Sequence, residues 1–245
     1  MARTEPPKAE ELLQRSYYAS TADIYDGMHI SAKDEHSLAL AILGALVKFH
    51  GFESVLDVGS GTGRALLELA EQCPESRCMG VEPVAELREV GYAKGLSHRT
   101  LIEGSGDQLP FADNSFDVVC EFAVLHHVPQ SRAVIDEMCR VARRMIFVSD
   151  CNFVAQGSFF VRCIKRVLFG LQLWPAVKWI QTRGKGYSVS DDDGVQYSYS
   201  VFQDIRYLRR FWKHVVVFPT KGQSGNGGAA LLSAPQLIFI CTDKV

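Results

Sequence analysis

The segment Val55-Leu56-Asp57-Val58-Gly59-Ser60-Gly61-Thr62-Gly63-Arg64 constrains the fold more than any other part of the chain. Residues 55–58 read as a short buried strand with one acidic interruption, and residues 65–70 as the next helix. Glycine at every second position between them permits left-handed backbone angles. Lacking Cβ, it also lets a ligand lie against the main chain near the amides of a helix N-terminus. Taken alone, such a turn serves equally as an ordinary strand-to-helix connection. About 20 residues on, Cys78-Met79-Gly80-Val81-Glu82 reads as a second strand ending in a carboxylate, the spacing at which a βαβ unit sets an acid beside a ribose. Arg64 stands where a dinucleotide fingerprint has its third glycine, so the pattern favours a nucleoside without a pyrophosphate bridge.

Two further segments extend the pattern. Leu109-Pro110-Phe111-Ala112-Asp113-Asn114-Ser115-Phe116-Asp117 matches L-P-F-x-D-x-S-F-D, which leads into a fourth strand, and Leu125-His126-His127-Val128 matches the L-H-H-V beyond it. From about Ser54 to Asp150 the chain therefore resembles the class I S-adenosylmethionine-dependent methyltransferases, in particular their small-molecule, type 11-like branch. The resemblance implies an α/β fold: a Rossmann-like seven-stranded, mostly parallel sheet with an antiparallel last strand. It also implies three helices on each face, an N-terminal helical lid and an inserted helical cap. The implied cofactor is S-adenosylmethionine. Asp57 would lie near its methionine amino group, with the turn of Gly59, Ser60, Gly61, Gly63 and Arg64 presenting amides to the methionine moiety. Glu82 would take the ribose, Pro83 and Val84 would line the adenine, Glu121 and Phe122 would meet the amino acid end, and His126 would border the cofactor. The family's acid before L-P-F, which accepts from the adenine amine, aligns with Ser105 in Gly104-Ser105-Gly106. Asp107 takes its place only if the loop shifts.

Length and composition suit a single enzyme domain, since 245 residues with 47% hydrophobic content can bury a sizeable core. A net charge of −2 gives no overall electrostatic footprint for nucleic acid. The seven cysteines form no C-x-x-C pair, which reads as a reduced, cytoplasmic chain with no metal centre. The first residues carry no apolar signal region, and no run is long enough to span a membrane. The expected organisation is one methyltransferase domain: a helical lid over 1–50, a cofactor-binding core over 51–150, a helical cap and substrate loop over 151–212, and closing strands over 213–245. Residues 37–49 read as a strongly apolar helix and 145–150 as the fifth strand. Residues 159–180 read as two short helices broken near Trp174-Pro175, a basic amphipathic stretch that either caps the core or touches a membrane. Residues 213–220 and 236–242 read as the closing strands, joined through a glycine-rich polar loop at 221–228 that lacks the ending of a phosphate cradle.

The candidate catalytic residues are His126 and His127, whose neutral imidazoles can accept a proton from a phenol, carboxylic acid or ammonium. One histidine could instead pack on the cofactor while the other caps its loop. Candidate substrate-binding residues are His127, Asp150 and Asn152 at the carboxyl edge of the sheet, Tyr187, Tyr197 and Tyr199 in the long loop, and Tyr18 and Tyr25 near the N-terminus. The run Asp191-Asp192-Asp193 reads equally as part of a lid or as a solvated excursion. The expected reaction passes a methyl group to an oxygen or nitrogen of a small metabolite, in a monomer or homodimer. A carbon acceptor on an aromatic or quinone-like ring is the alternative, as is a non-catalytic binding protein. Glu121-Phe122-Ala123-Val124 replaces the asparagine-proline-proline-aromatic tetrad of base methylation, and the glycine spacing disfavours a nicotinamide dehydrogenase.

Overall fold

The computed structural model describes residues 9–29, 35–191, 193–221 and 233–245. The glycine-rich run 222–228, the terminal residues 1–7 and Asp192 lie outside the described residues. In chain order the elements are helices α1 (Ala9–Thr21), α2 (Tyr25–His29) and α3 (Glu35–His50), then β1 (Ser54–Val58), α4 (Arg64–Gln72), β2 (Arg77–Glu82), α5 (Ala85–Ala93), β3 (Leu101–Glu103) and β4 (Phe116–Phe122). They continue as α6 (Ser131–Val141), β5 (Ala142–Cys151), α7 (Phe159–Gly170), α8 (Trp174–Gln181), a small hairpin of β6 (Ser188–Ser190) and β7 (Gly194–Gln196), α9 (Phe202–Leu208), β8 (Trp212–Lys221) and β9 (Gln236–Lys244).

Seven strands form one sheet in the order β3-β2-β1-β4-β5-β9-β8. The first five run parallel, and β9 lies antiparallel between β5 and β8. The parallel strands are apolar on both faces because helices cover both. Val55, Val118, Cys120, Met145 and Phe147 pack with Leu40 and Leu43 of α3 and Leu69 of α4. The alternate residues Leu56, Val58, Val119, Ile146 and Val148 pack with Ile135 and Met138 of α6 and Leu208 of α9. β1 pairs with β2 on one side and β4 on the other. Strand order therefore reverses at β1, and a crevice opens beyond its carboxyl end.

Acids and loops at the opposite edge act as fasteners. Asp117, in the S-F-D segment, is buried and accepts from the Glu53 amide at 2.9 Å and from Arg143 Nε at 3.0 Å, tying β1, β4 and β5 together. The L-P-F loop is held to α6, where Glu137 accepts from the Leu109 amide and Arg140 donates to the carbonyls of Leu109 and Phe111.

The expectation of three helices on each face is corrected on the α6 side. The connection from β3 to β4 carries no helix, because Gly104, Gly106, Pro110 and Asp113-Asn114 break its 12 residues into turns. The closing strand β8 begins with Trp212, fully buried, whose indole N–H donates to Cys139 Sγ at 3.5 Å. Trp212→Ala should lower unfolding free energy by about 3–5 kcal/mol, read as a lower urea midpoint at unchanged slope; an unshifted midpoint would contradict this packing.

Candidate active site

The glycine turn sits at the mouth of the crevice, with left-handed φ at Gly59 (73°), Gly61 (53°) and Gly63 (79°). At Gly59 an added Cβ would come within 2.5 Å of Val124 Cγ2, so both angle and space demand glycine there. The turn does not offer its glycine amides to a ligand, contrary to expectation. Gly59 and Ser60 donate to the Val81 carbonyl, Gly61 to Glu82 Oε2 at 3.0 Å, and Gly63 to the Ser60 carbonyl. What the turn supplies is a bare surface. Arg64 is also engaged by protein, donating to Ser37 of α3 and Glu68 of α4.

Three cavities meet above this edge. The first, about 220 Å³, is lined by Glu82, Pro83, Val84, Leu87, Ser105, Gly106 and Asp107. Glu82 is buried, its carboxylate accepting from the Gly61 and Val84 amides, and burial raises its pKa. Ser105 Oγ donates to Asp107 Oδ1 at 2.6 Å, so the serine standing at the family's acid position aims the acid two residues later. Gly59, Gly61, Phe122 and the two tyrosines Tyr18 and Tyr25 are shared with a second cavity of about 330 Å³, which also contains Asp57, His36, Arg64, His126 and His127. Burial pushes the Asp57 carboxyl up to about 7, and Cys120 Sγ lies 3.8 Å from its Oδ1. Beside it, Ala123 adopts φ of 61°, a left-handed angle for a non-glycine residue at the end of β4.

The third cavity, about 510 Å³, lies beneath the cap and shares His126, Asp193 and Gln236 with the second. At this junction Asp193, carried by the β6–β7 hairpin, faces both histidines: Oδ2 is 3.6 Å from His126 Nε2 and Oδ1 is 3.4 Å from His127 Nε2. His126 Nδ1 donates to Asp150 Oδ1 at 2.7 Å. Burial by itself would lower the His126 pKa, but Asp150 and Asp193 outweigh it and push it up to about 10. His126 is therefore an imidazolium at neutral pH, with no lone pair to offer. His127 is held below the ordinary imidazole value by burial and by the neighbouring His126 charge. Its Nδ1 is 2.7 Å from the Val195 carbonyl oxygen, the geometry of an Nδ1–H donor, while its Nε2 faces the Asp193 carboxylate. Both histidines shift Asp193 well below the usual carboxylate range, against the effect of burial.

Helix α1 closes this arrangement from above. Gln14 accepts from the Val195 amide, and its Nε2 lies 3.1 Å from His127 Nδ1 and donates to the Asp193 carbonyl. Gly194, φ 67°, makes room for it, since a Cβ there would meet Gln14 Oε1 at 2.4 Å. Asp193, Gln14, His36 and Gln236 were not legible as site residues, although the tyrosines flanking the Asp run mark its loop as more than solvated chain.

Several expected site residues are placed elsewhere. Glu121 lines none of the three cavities. It lies on the α6 side of β4, buried with a strongly raised pKa, and accepts from the Val124 amide at 2.8 Å. Asp150 is consumed by His126 and by the amides of Leu125 and Cys151. Asn152 bonds Ser200 and the Ala234 carbonyl, because pairing with β9 carries β5 onward to Cys151 and buries the residues just past it. Tyr199 is a core residue whose hydroxyl donates to Asp204. Tyr187 packs against Tyr197 outside the cavities, whereas Tyr197 lines the third. Other walls of that cavity are Phe153, Gln156, Lys165, Trp174 and Lys178.

Two groupings have cation-binding chemistry, His126–Asp150–Cys151 and His126–His127–Asp193, each with ligand atoms within 4.8 Å of one another. The first is closed on itself by the short His126–Asp150 hydrogen bond. S-adenosylmethionine fits the first two cavities on independent grounds: Asp57 is a buried carboxylate without a cationic partner among the described residues, Glu82 is a buried acid beside apolar walls, and Gly59 and Gly61 leave two positions of the turn without side chains.

A family profile described as Methyltransferase domain matches residues 56–145. A demethylmenaquinone methyltransferase of Roseiflexus sp. (strain RS-1) is 31% identical over 141 residues, covering 56% of this chain and 58% of that protein. The uncharacterized methyltransferase YcgJ of Bacillus subtilis is 28% identical over 132 residues, 52% of this chain and 50% of its own length. The chain thus spans about half the length of these curated relatives. Among solved structures, magnesium protoporphyrin IX methyltransferase from Synechocystis PCC 6803 with bound S-adenosylhomocysteine superposes with TM-score 0.61 at 16% identity, covering 95% of this chain and 99% of that one. A Burkholderia thailandensis 1,6-didemethyltoxoflavin-N1-methyltransferase, bound to 1,6-didemethyltoxoflavin and S-adenosylhomocysteine, gives TM-score 0.61 at 17% identity over 100% of this chain and 93% of that one. The fold is that of the class I S-adenosylmethionine-dependent methyltransferases. Residues 56–145 match the profile of the methyltransferase domain family.

Asp57 is about half protonated at neutrality, whereas an ammonium ligand requires it ionised. Calorimetric affinity for S-adenosylhomocysteine should therefore fall below about pH 7, approaching tenfold per pH unit, and level off above about pH 8. Asp57→Asn should abolish this dependence; a flat profile in the unsubstituted protein would refute the pairing. Glu82→Ala should weaken the same binding by about 2–4 kcal/mol, and unchanged affinity would remove Glu82 from the nucleoside cavity.

Proposed function

We propose that this chain methylates an oxygen or nitrogen of a small aromatic acceptor held in the 510 Å³ cavity, using S-adenosylmethionine held across the other two. The observation that carries the reading is the shared wall: His126, Asp193 and Gln236 border both the 330 Å³ and 510 Å³ cavities, so an acceptor and a methyl donor would meet there. Glu82 would receive the ribose hydroxyls, Asp57 the ammonium group, and Asp107, aimed by Ser105, the adenine edge. When bound, the cofactor supplies a methyl group on a sulfonium, an electrophile that needs no acid catalysis. The chain's task is to align a nucleophile and take its proton.

His127 is the better base of the pair, although it borders the 220 Å³ and 330 Å³ cavities and not the 510 Å³ one, so the acceptor's nucleophile would have to reach past the Asp193 wall to meet it. In its neutral form with the proton on Nδ1 toward Val195, Nε2 would offer a lone pair, and Asp193 3.4 Å away would stabilise the imidazolium that forms on proton uptake. His126, cationic and turned through both nitrogens toward Asp150 and Asp193, would instead hold Asp193 in place beside His127. Phe153, Trp174 and Tyr197 offer flat walls to an aromatic ring. The names of the demethylmenaquinone methyltransferase relatives favour a ring acceptor as well. A phenolate is nucleophilic at oxygen and at ring carbon, so the same proton transfer would serve a carbon acceptor, which stands as the second reading.

Methyl-labelled S-adenosylmethionine incubated with phenols, amines and carboxylic acids should yield acceptor-dependent S-adenosylhomocysteine. With any acceptor so found, His127→Ala should lower kcat by about 10²–10⁴-fold and leave S-adenosylhomocysteine affinity unchanged. Full kcat in the variant would dismiss His127 as the base, and parallel loss of affinity would reassign it to the cofactor.

A further inference from the structure

The cap is built with its apolar side outward. On α7, Phe160, Ile164 and Val167, with Leu171 just past its end, recur at intervals of four, three and four, one face of a helix. These residues are 59–78% exposed, and on α8 Trp179 and Ile180 are similarly open at 60% and 69%. The inner side is mixed: Val161, Leu168 and Val177 line the 510 Å³ cavity, and among them Lys165 donates to the carbonyls of Phe153 and Gln156, near the rings of Phe153 and Trp174. Neither helix has a buried residue. A soluble amphipathic helix has the reverse orientation, and six large apolar side chains in one region exceed the scattered exposure usual on a protein surface.

Charge is sorted in the same segment. From Cys151 to Ser190 the chain has six basic residues, Arg162, Lys165, Arg166, Lys178, Arg183 and Lys185, and no acidic one, in a protein whose overall charge is −2. Lys165 and Lys178 turn to the cavity, but Arg183 and Lys185 are exposed just past α8, and an apolar face beside exposed cations matches a bilayer surface carrying anionic headgroups. No helix among the described residues is long and apolar enough to cross a membrane, so contact of this face with a bilayer would be at its surface.

We propose that the outer face of α7 and α8 docks on the surface of an anionic lipid bilayer. Val161 and Ile164 belong both to this side of α7 and to the wall of the 510 Å³ cavity, so docking would bring that cavity's rim to the lipid. On the methyl-acceptor reading above, the acceptor would then be an amphipathic molecule taken from the membrane; docking itself does not depend on that reading.

The test is co-sedimentation of the full chain with vesicles of phosphatidylcholine alone or mixed with phosphatidylglycerol, beside Phe160→Glu/Leu171→Glu, whose sites are open and line no cavity. The protein should sediment with the phosphatidylglycerol vesicles, less with phosphatidylcholine alone, and less when salt is raised to about 0.5 M. The double variant should lose at least about tenfold in partitioning while keeping its circular dichroism and S-adenosylhomocysteine binding. Failure of the unsubstituted protein to sediment, or equal sedimentation of the variant, overturns the proposal. So does a dimer in analytical ultracentrifugation that the variant breaks, which would assign the face to a second copy.

Discussion

The site depends on a charge held between charges. His126 is buried between Asp150 at the end of β5 and Asp193 on the β6–β7 hairpin, and only their joint field keeps a buried imidazole protonated. An unpaired carboxylate at either position would be costly to bury. The central sheet is thereby electrostatically joined to the hairpin beyond α8, and the hairpin through Gln14 to α1. Three segments distant in sequence converge on one polar network, which also stands between the 330 Å³ and 510 Å³ cavities.

That network explains why two adjacent histidines differ. They share a loop and lie with ring centroids 3.9 Å apart, yet His126 meets carboxylates through both nitrogens while His127 gives one nitrogen to a carbonyl. A cation beside it also discourages a second one. Two adjacent imidazoles thereby have opposed proton affinities, set by what each ring nitrogen faces.

The central strands were legible because burial on both faces leaves near-continuous apolar runs, as in Val55–Val58 and in residues 145–148. The glycine turn and Glu82 were legible because local spacing determines them. The α3 helix and the break at Trp174-Pro175 also came from local chemistry. Side-chain placement past the strand ends was not legible. Asp150, Asn152 and Tyr199 sit near the correct edge, but β9 pairs with β5 as far as Cys151 and encloses them, a long-range event that no local pattern records. Glu121 could have been separated from Phe122 by alternation, since consecutive strand residues face opposite sides. Asp193 could not, because its role exists only once the hairpin folds over the histidine loop.

Gly194 and Gln14 form a lock between the β6–β7 hairpin and α1. One lacks a side chain where the other's amide oxygen sits, and the backbone angle at Gly194 suits few other residues. A methyl group gained at position 194 would have to be answered by a shorter side chain at position 14 or by α1 lifting off the cavities. In the descent of this chain the two sites are therefore expected to vary as a pair, although neither falls in the segment by which the domain is recognised.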